Sequence, residues 1–162
     1  RDRSHARDRT AEQAPLLRAV ADPVSLDRVA DPDFQALIDR MIATMYAAKG
    51  IGLAAPQIGQ SIRLAVITKD VSEGREELAL INPKMTAPSS TQEKLEEGCL
   101  SIPKVYGPVP RANRLQLEAF NRQGKRYQLT AEGLFARVIQ HEIDHLNGRL
   151  FIDRAEGAIH PG

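Results

Sequence analysis

Residues 130–148 read TAEGLFARVIQHEIDHLNG. Apolar side chains recur in this stretch at intervals of three and four residues, and this spacing predicts one amphipathic helix. The helix should be buried on one side, through Leu134, Phe135, Val138, Ile139, Ile143 and Leu146. Thr130 is the expected cap at its start, and Asn147-Gly148 is the expected end.

The middle of this helix carries His141-Glu142-Ile143-Asp144-His145. Residues four apart lie on one helix face, so the two imidazoles can share a metal ion, with Glu142 beside a water bound to that ion. The alternative is a solvated helix that happens to contain two histidines. The pattern favours the metal site, because both the ligands and a general base fall where a metallohydrolase needs them.

A catalytic metal normally takes three protein ligands, so a third one must be found. The metzincin pattern would place a histidine where Phe151 stands. Another class of metalloprotease uses a downstream glutamate as the third ligand, but the sole glutamate after His145, Glu156, lies in a tail with little helical pattern. His5 and His160 lie in the terminal segments. Cys99 is the remaining candidate, although a lone cysteine is more often a small buried apolar residue.

Outside the last helix, the pattern predicts a second helix and a small sheet. Asp31-Pro32 resembles a helix start, the apolar spacing continues through Met45, and Gly50 is a natural stop. Strands are expected at residues 62–68, 78–81, 114–121 and 126–129, with a tight turn at 121–124 and an exposed loop at 88–92. The predicted fold class is α+β, with small, mostly antiparallel sheets packed around a central C-terminal helix.

The segment Gly50-Ile51-Gly52-Leu53-Ala54-Ala55-Pro56-Gln57 superficially matches a dinucleotide-binding loop. Such a loop follows a strand and opens a helix, whereas this segment follows a helix and precedes a strand. Two interpretations of this segment remain. It can be a close-packed turn, or it can be a bare backbone against which a substrate lies, with Gln57 as an amide donor.

The composition of the chain indicates the number of domains, the kinds of partner to expect and the cellular compartment. The 162 residues, 42% hydrophobic, suit one domain. Lys plus Arg number 22 against 21 Asp plus Glu, so a net charge of +1 gives no reason to expect nucleic-acid or membrane binding. One cysteine suits a reducing compartment, and the acids Asp2, Asp8 and Glu12 argue against an organelle transit peptide. The cytoplasm is therefore the expected compartment.

Three segments together resemble the signature motifs of peptide deformylases: residues 50–57, residues 97–101 (Glu-Gly-Cys-Leu-Ser) and residues 141–145. The general pattern from about Pro15 to Asp153 is similar to that family. The resemblance implies a hydrolase of protein biosynthesis and N-terminal methionine processing, which removes the formyl group from formylmethionyl nascent peptides. It also implies one divalent metal, with Fe²⁺ as the usual ion in the cell and Zn²⁺, Ni²⁺ or Co²⁺ as substitutes.

The same resemblance implies roles for individual residues. Cys99, His141 and His145 would hold the metal, and Glu142 would take a proton as metal-bound hydroxide attacks the formyl carbon. Gln57 and the Leu100 backbone N–H would stabilise the oxyanion. The substrate-binding positions would be Gly50, Ile51, Gly52, Glu97 and Gly98 along the peptide, and Leu95, Leu134 and Val138 around the methionine side chain.

Two charged residues near the motifs have open assignments. Asp144 would orient a metal ligand or an arginine, or else face water, and Arg111 is a candidate partner for Glu97. Residues 1–14 are expected to form a polar, disordered extension, residues 15–154 a single catalytic domain and residues 155–162 a short tail. The long terminal helix by which some deformylases are thought to approach the ribosome is expected to be short or absent here, which argues against transient ribosome association.

Two other functions remain as alternatives. A small zinc peptidase would share the helix and the water activation but would not need Gln57 or Cys99. A non-catalytic metal-binding domain would leave Glu142 as a surface acid. The peptidase is favoured over the non-catalytic domain, because Glu142 sits where a general base is needed.

Overall fold

A computed structural model describes residues 17–99, 102–150, 153–154 and 160–161, with side chains left out for Cys99, residues 102–105 and residues 160–161. The predicted extension, residues 1–14, lies outside the described residues, as does most of the predicted tail. Within the described part, no helix is both long enough and apolar enough to cross a membrane.

The first sheet has five strands in the order β1-β2-β3-β6-β7, and every pair is antiparallel. Its strands are β1 (Gly52–Ala54), β2 (Leu64–Ile67), β3 (Leu78–Thr86), β6 (Arg114–Phe120) and β7 (Arg126–Glu132). The strands predicted from the apolar pattern are confirmed, and β3 and β7 are longer than expected. The short β1 was not predicted.

The second sheet contains β4 (Gln92–Cys99), β5 (Ile102–Ala112) and β8 (His160–Pro161). Strands β4 and β5 pair as an antiparallel hairpin, in which Cys99 is the partner of Ile102. The sequence did not predict this hairpin, because the side chains of β4 are mostly exposed on both faces and show no apolar alternation.

Two longer helices lie on opposite faces of the first sheet. Helix α2 (Pro32–Ala47) follows the short α1 (Leu26–Val29), and the Asp31 carboxylate accepts a hydrogen bond from the Asp33 N–H at the start of α2. Helix α3 (Gly133–Leu146) carries the two histidines. A short 3₁₀ helix (Ala55–Ile58) follows β1.

The alternation of side chains along β2 shows how the layers pack. Ala65 and Ile67 belong to the core beneath α3, whereas Leu64 and Val66 belong to the core beneath α2. All four are fully buried, which explains why β2 is a continuous apolar run. Helix α3 is therefore held by one face of the sheet, and the predicted α+β architecture is confirmed.

The predicted start of the last helix was wrong. Thr130 lies within β7 and pairs with Gln116, and the chain passes into α3 at Gly133 without a loop. Leu134, expected on the buried face, is 52% exposed because it stands in the first turn of the helix, at its edge. The predicted end is confirmed, since Gly148 adopts a φ of 73° just after the helix.

Candidate active site

Helix α3 brings His141 and His145 together on one face. Their Nε2 atoms lie 3.2 Å apart, and the two rings meet edge to face with centroids separated by 4.9 Å. His145 is 1% exposed, and the side chain of His141 is 13% exposed. Both imidazoles therefore direct the same ring nitrogen toward one point.

This pair fits a metal ion. Two nitrogens bonded to one tetrahedral metal at about 2.0–2.1 Å lie about 3.3 Å apart, which is close to the observed separation. Metal ligation also requires neutral imidazole. Burial lowers the pKa of His145 to about 3, so its ring is neutral at physiological pH.

Glu97, on β4, fixes the orientation of the His141 ring. One of its carboxylate oxygens lies 2.8 Å from His141 Nδ1. A carboxylate in this position accepts a hydrogen bond from Nδ1–H and so leaves Nε2 as the lone-pair nitrogen. The carboxylate–imidazole contact therefore prepares His141 as a ligand through the nitrogen that faces His145.

Glu97 is itself held by two arginines. Arg111 donates two hydrogen bonds to its carboxylate, both of 2.9 Å, and Arg137 donates a third. Burial raises the pKa of Glu97, but the hydrogen bonds with His141 and Arg111 outweigh burial and lower it to about 2. The carboxylate is therefore charged across the physiological range, and the predicted pairing of Arg111 with Glu97 is confirmed.

Asp144 extends this network on the other side of Arg111. It is buried and accepts hydrogen bonds from Arg111 and Arg154, one of the latter at 2.9 Å. Of the two assignments left open by the sequence, the structure supports the one in which Asp144 orients an arginine. We name the group Glu97, Arg111, Arg137, Asp144 and Arg154 the charged cluster.

Glu142 lies on α3 between the two histidines in sequence and is only 3% exposed. Burial raises the pKa of its carboxyl to about 7. A carboxyl with a pKa near neutrality can both accept and return a proton, which is what general acid–base chemistry requires. The Glu142 side chain packs against Gly52 of β1.

The remaining predicted catalytic residues are only partly described. The side chain of Cys99 and the whole of Leu100 lie outside the described residues, although the backbone of Cys99 closes β4. Gln57 lies in the 3₁₀ helix, and its Oε1 accepts a hydrogen bond of 2.8 Å from the Ala54 N–H. This bond orients the Gln57 amide, with its oxygen toward the backbone.

The predicted substrate-binding residues have different surroundings. Gly50, Gly52 and Gly98 are partly buried, and Glu97 belongs to the charged cluster. The exposed fraction is 45% for Ile51, 43% for Leu95 and 52% for Leu134, against 2% for Val138. Three of the four apolar positions thus present surface that a ligand could cover, and their binding roles stay predictions.

Sequence reasoning missed Arg137 and Arg154. Arg137 also donates to the backbone carbonyls of Val109 and Glu93, so it ties α3 to the β4–β5 hairpin. One signal was available: Arg137 precedes His141 by four residues and therefore lies on the same helix face. The contact of Arg154 with Asp144 had no such signal, because it depends on how the chain returns after the helix.

Comparison with known proteins gives one consistent result. Residues 10–158 match the family model described as polypeptide deformylase. The peptide deformylase of Rhizobium meliloti (strain 1021) is 49% identical over 141 residues, covering 86% of this chain and 79% of that protein. That of Acinetobacter baumannii (strain SDF) is 47% identical over 140 residues, covering 86% and 77%.

Solved structures agree with the sequence matches. The peptide deformylase of Thermotoga maritima superposes with a TM-score of 0.81 at 41% identity, covering 88% of this chain and 92% of that one. The Synechococcus elongatus enzyme, solved in complex with actinonin, gives 0.80 at 45% identity, covering 88% and 74%. The resemblance seen in the three motifs is thereby confirmed, and the chain belongs to the polypeptide deformylase family of enzymes.

Proposed function

We propose that this protein removes the N-terminal formyl group from formylmethionine of nascent polypeptides in the bacterial cytoplasm. The observation that carries the proposal is the pair of imidazole nitrogens, 3.2 Å apart, on the same helix as a buried carboxyl whose pKa is near 7. Family membership supports the deformylation of nascent peptides. The geometry supports the division of roles among the residues.

Cys99, His141 and His145 would hold one divalent metal, with Fe²⁺ as the proposed ion in the cell and Zn²⁺, Ni²⁺ or Co²⁺ as substitutes. Thiolate and imidazole ligands suit each of these ions. Bound there, the metal would supply Lewis acidity, which lowers the pKa of water and polarises a carbonyl oxygen. The contact of Glu97 with His141 would keep that imidazole in the correct orientation.

Glu142 would move the protons. It would accept a proton from the water that attacks the formyl carbon, and it would deliver that proton to the nitrogen as the C–N bond breaks. The amine leaves, and the formic acid formed with it ionises to formate. The Gln57 amide and the Leu100 N–H would donate to the oxygen on which negative charge develops. Each donor lies in one of the three motifs, so the whole constellation would come from the 3₁₀ helix after β1, the residues between β4 and β5, and α3.

The peptide would lie in extended form against the backbone of residues 50–52 and 98, with its methionine side chain near Leu95, Leu134 and Val138. The exposure of Leu95 and Leu134 supports this placement, because both offer apolar surface to a ligand. Residues 15–154 would make up the catalytic domain. The proposed reaction requires neither a nucleic acid nor a membrane as a partner. Ribosome association is not part of the proposal.

The test is formate release from formyl-Met-Ala-Ser by protein loaded with nickel, compared with Glu142→Gln loaded in the same way. We expect formate from the wild type and a rate lower by about 10²–10⁴ in the variant, because the amide cannot accept a proton. Cleavage of internal peptide bonds without formate would instead indicate a peptidase. Equal rates in the two proteins would remove Glu142 from the mechanism.

A further inference from the structure

Gly52 lies unusually close to one side chain. It begins β1, where it pairs with Ile67 of β2, and it faces helix α3. A Cβ atom built on Gly52 would lie 2.5 Å from Oε2, 2.9 Å from Cδ and 3.0 Å from Cγ of Glu142. Non-bonded carbon and oxygen atoms do not approach to 2.5 Å, so every residue other than glycine would move the Glu142 carboxylate.

The three nearest atoms all belong to Glu142, and none belongs to the backbone. Gly148 is the opposite case, because its added Cβ would meet the backbone oxygen of Arg18 at 2.4 Å. A third glycine, Gly74, has no atom within 4 Å of its added Cβ. The glycine at position 52 is thus required by the position of one side chain, and its φ lies outside the left-handed region that favours glycine.

Hydrogen bonding alone does not fix this carboxylate. Glu142 Oε1 is buried, and it has no hydrogen-bond partner among the residues that the structure describes. The Glu142 side chain is flexible in itself, with three rotatable bonds, so its position must come from what it packs against. The bare backbone of β1 supplies one wall of that space.

We propose that Gly52 is a positioning residue for Glu142: the missing Cβ leaves the space in which the carboxylate lies, and β1 thereby sets where the proton is accepted. This inference rests on the proposed function, in which Glu142 moves the protons. It differs from the role expected from the resemblance, in which the Gly52 backbone pairs with the substrate.

Activity in a set of four nickel-loaded proteins separates these roles: wild type, Gly52→Ala, Glu142→Gln and the double variant. Relief of the 2.5 Å contact should displace the carboxylate by about 1 Å, which should lower kcat for formyl-Met-Ala-Ser by about 10²-fold in Gly52→Ala. The KM, the affinity for the product Met-Ala-Ser and the nickel content should stay within about twofold. In the Glu142→Gln background the same substitution should add less than about a threefold loss.

Stability gives a readout that does not depend on activity. If Gly52→Ala lowers Tm, it should do so only while the Glu142 side chain is present. In the Glu142→Ala background, which removes the atoms that the new methyl group would meet, Gly52→Ala should change Tm by less than about 1 °C. Gly74→Ala is the matched control, and we expect it to leave kcat, peptide affinity and Tm unchanged.

Three outcomes would overturn the inference. One is a Gly52→Ala protein that keeps kcat within about threefold. Another is that Gly52→Ala lowers the affinity for Met-Ala-Ser, and does so equally in the wild type and in Glu142→Gln. That result would assign Gly52 to peptide binding. The third is a drop in Tm that persists in the Glu142→Ala background. Failure of the proposed function is distinct, since it would appear as full activity in Glu142→Gln alone.

Discussion

Glu97 illustrates how one buried side chain supports several others. Its two oxygens contact Arg111, Arg137 and His141, and the residue is 8% exposed. Isolated ion pairs on a surface contribute little to stability, but a buried cation left without its partner is costly. Glu97 therefore matters both for folding and for the orientation of His141.

We predict that Glu97→Gln lowers the free energy of unfolding by about 3–5 kcal/mol, because the amide leaves Arg137 buried without a carboxylate partner and leaves Arg111 with that of Asp144 alone. Nickel affinity should fall by about 10–100-fold, since the His141 ring loses its carboxylate partner. Denaturant unfolding and metal competition measure the two effects. Glu93→Gln, exposed on the same strand, is the control and should change stability by less than about 0.5 kcal/mol. Equal unfolding midpoints for both variants would contradict the prediction.

At the scale of single residues, the sequence was informative where chemistry restricts the choice. His141, Glu142 and His145 stand at a spacing that few functions require, and Arg111 could be matched to Glu97 as a charge partner. Arg137 and Arg154 were missed because their acceptors are carboxylates and carbonyls distant in sequence. Such contacts depend on the tertiary packing of the chain, and the pattern of neighbouring residues in the sequence does not predict them.

Among the elements, the two longer helices were predictable and the β4–β5 hairpin was not. Helix α2 has a capping aspartate and a regular apolar face, so its local signals agree with its packing. Strand β4 has no such apolar face, because Lys94 and Glu96 are exposed and the buried Glu97 is a member of the charged cluster. Ion pairing and the pairing with β5 hold this strand in place, and a hydrophobicity pattern does not record either.

Thr130 shows a related limit. A threonine before an apolar period resembles a helix cap, but threonine also favours strands. Here β7 runs to Glu132, so the strand extends to the residue before α3. Pairing with β6 over seven registered positions outweighs a single capping preference.

The end of α3 is predicted to be sensitive to substitution. Gly148 has a φ of 73°, and an added Cβ would lie 2.4 Å from the Arg18 carbonyl oxygen. Gly148→Ala should lower the free energy of unfolding by about 2–5 kcal/mol, from left-handed strain together with overpacking. Gly124→Ala is the matched control: φ is 80° there, but the nearest atom is 3.8 Å away. It should lose only the strain, about 1–2 kcal/mol. Equal losses in denaturant unfolding would contradict a steric role for Arg18.

Tyr127 connects β7 to β3 across β6. Its hydroxyl donates a hydrogen bond of 2.8 Å to the Ala79 carbonyl, and its partner on β6 is the small Ala119. Burial raises the pKa of the phenol above its ordinary value. A raised pKa in the folded state gives stability that is complete below the unfolded pKa of about 10 and is lost as pH rises beyond it.

Tyr127→Phe should therefore be less stable than the wild type by about 1 kcal/mol at pH 7 and pH 9, for loss of the hydrogen bond. Between pH 10 and pH 11 the wild type should lose about 1 kcal/mol more than the variant, because only its unfolded state can release the phenolic proton. Urea unfolding at pH 7, 9, 10 and 11 measures the difference. A constant difference up to pH 11 would show that Tyr127 ionises equally easily in the folded state.

Across the whole molecule, α3 is attached to the two sheets by different forces. The first sheet holds it through apolar packing, with Ile139 and Leu146 fully buried. The second sheet holds it through the charged cluster, where Arg111 and Glu97 face Asp144 and Arg137. The N-terminal segment is fastened separately, since the Asn82 amide pairs with both the N–H and the carbonyl of Val24.

If Cys99 completes the site, a bound metal would join the second sheet to α3 and would stabilise the whole fold. At a free nickel concentration of about 100 times the dissociation constant, the gain should be about 2.7 kcal/mol, and a chelator should abolish it. Cys99→Ala should show little gain at the same free nickel concentration, because one of the three proposed ligands is lost. His5→Ala, which alters a histidine outside the proposed site, should keep the full gain. Denaturant unfolding with and without buffered nickel measures each protein, and an undiminished gain in Cys99→Ala would assign the third ligand to another residue.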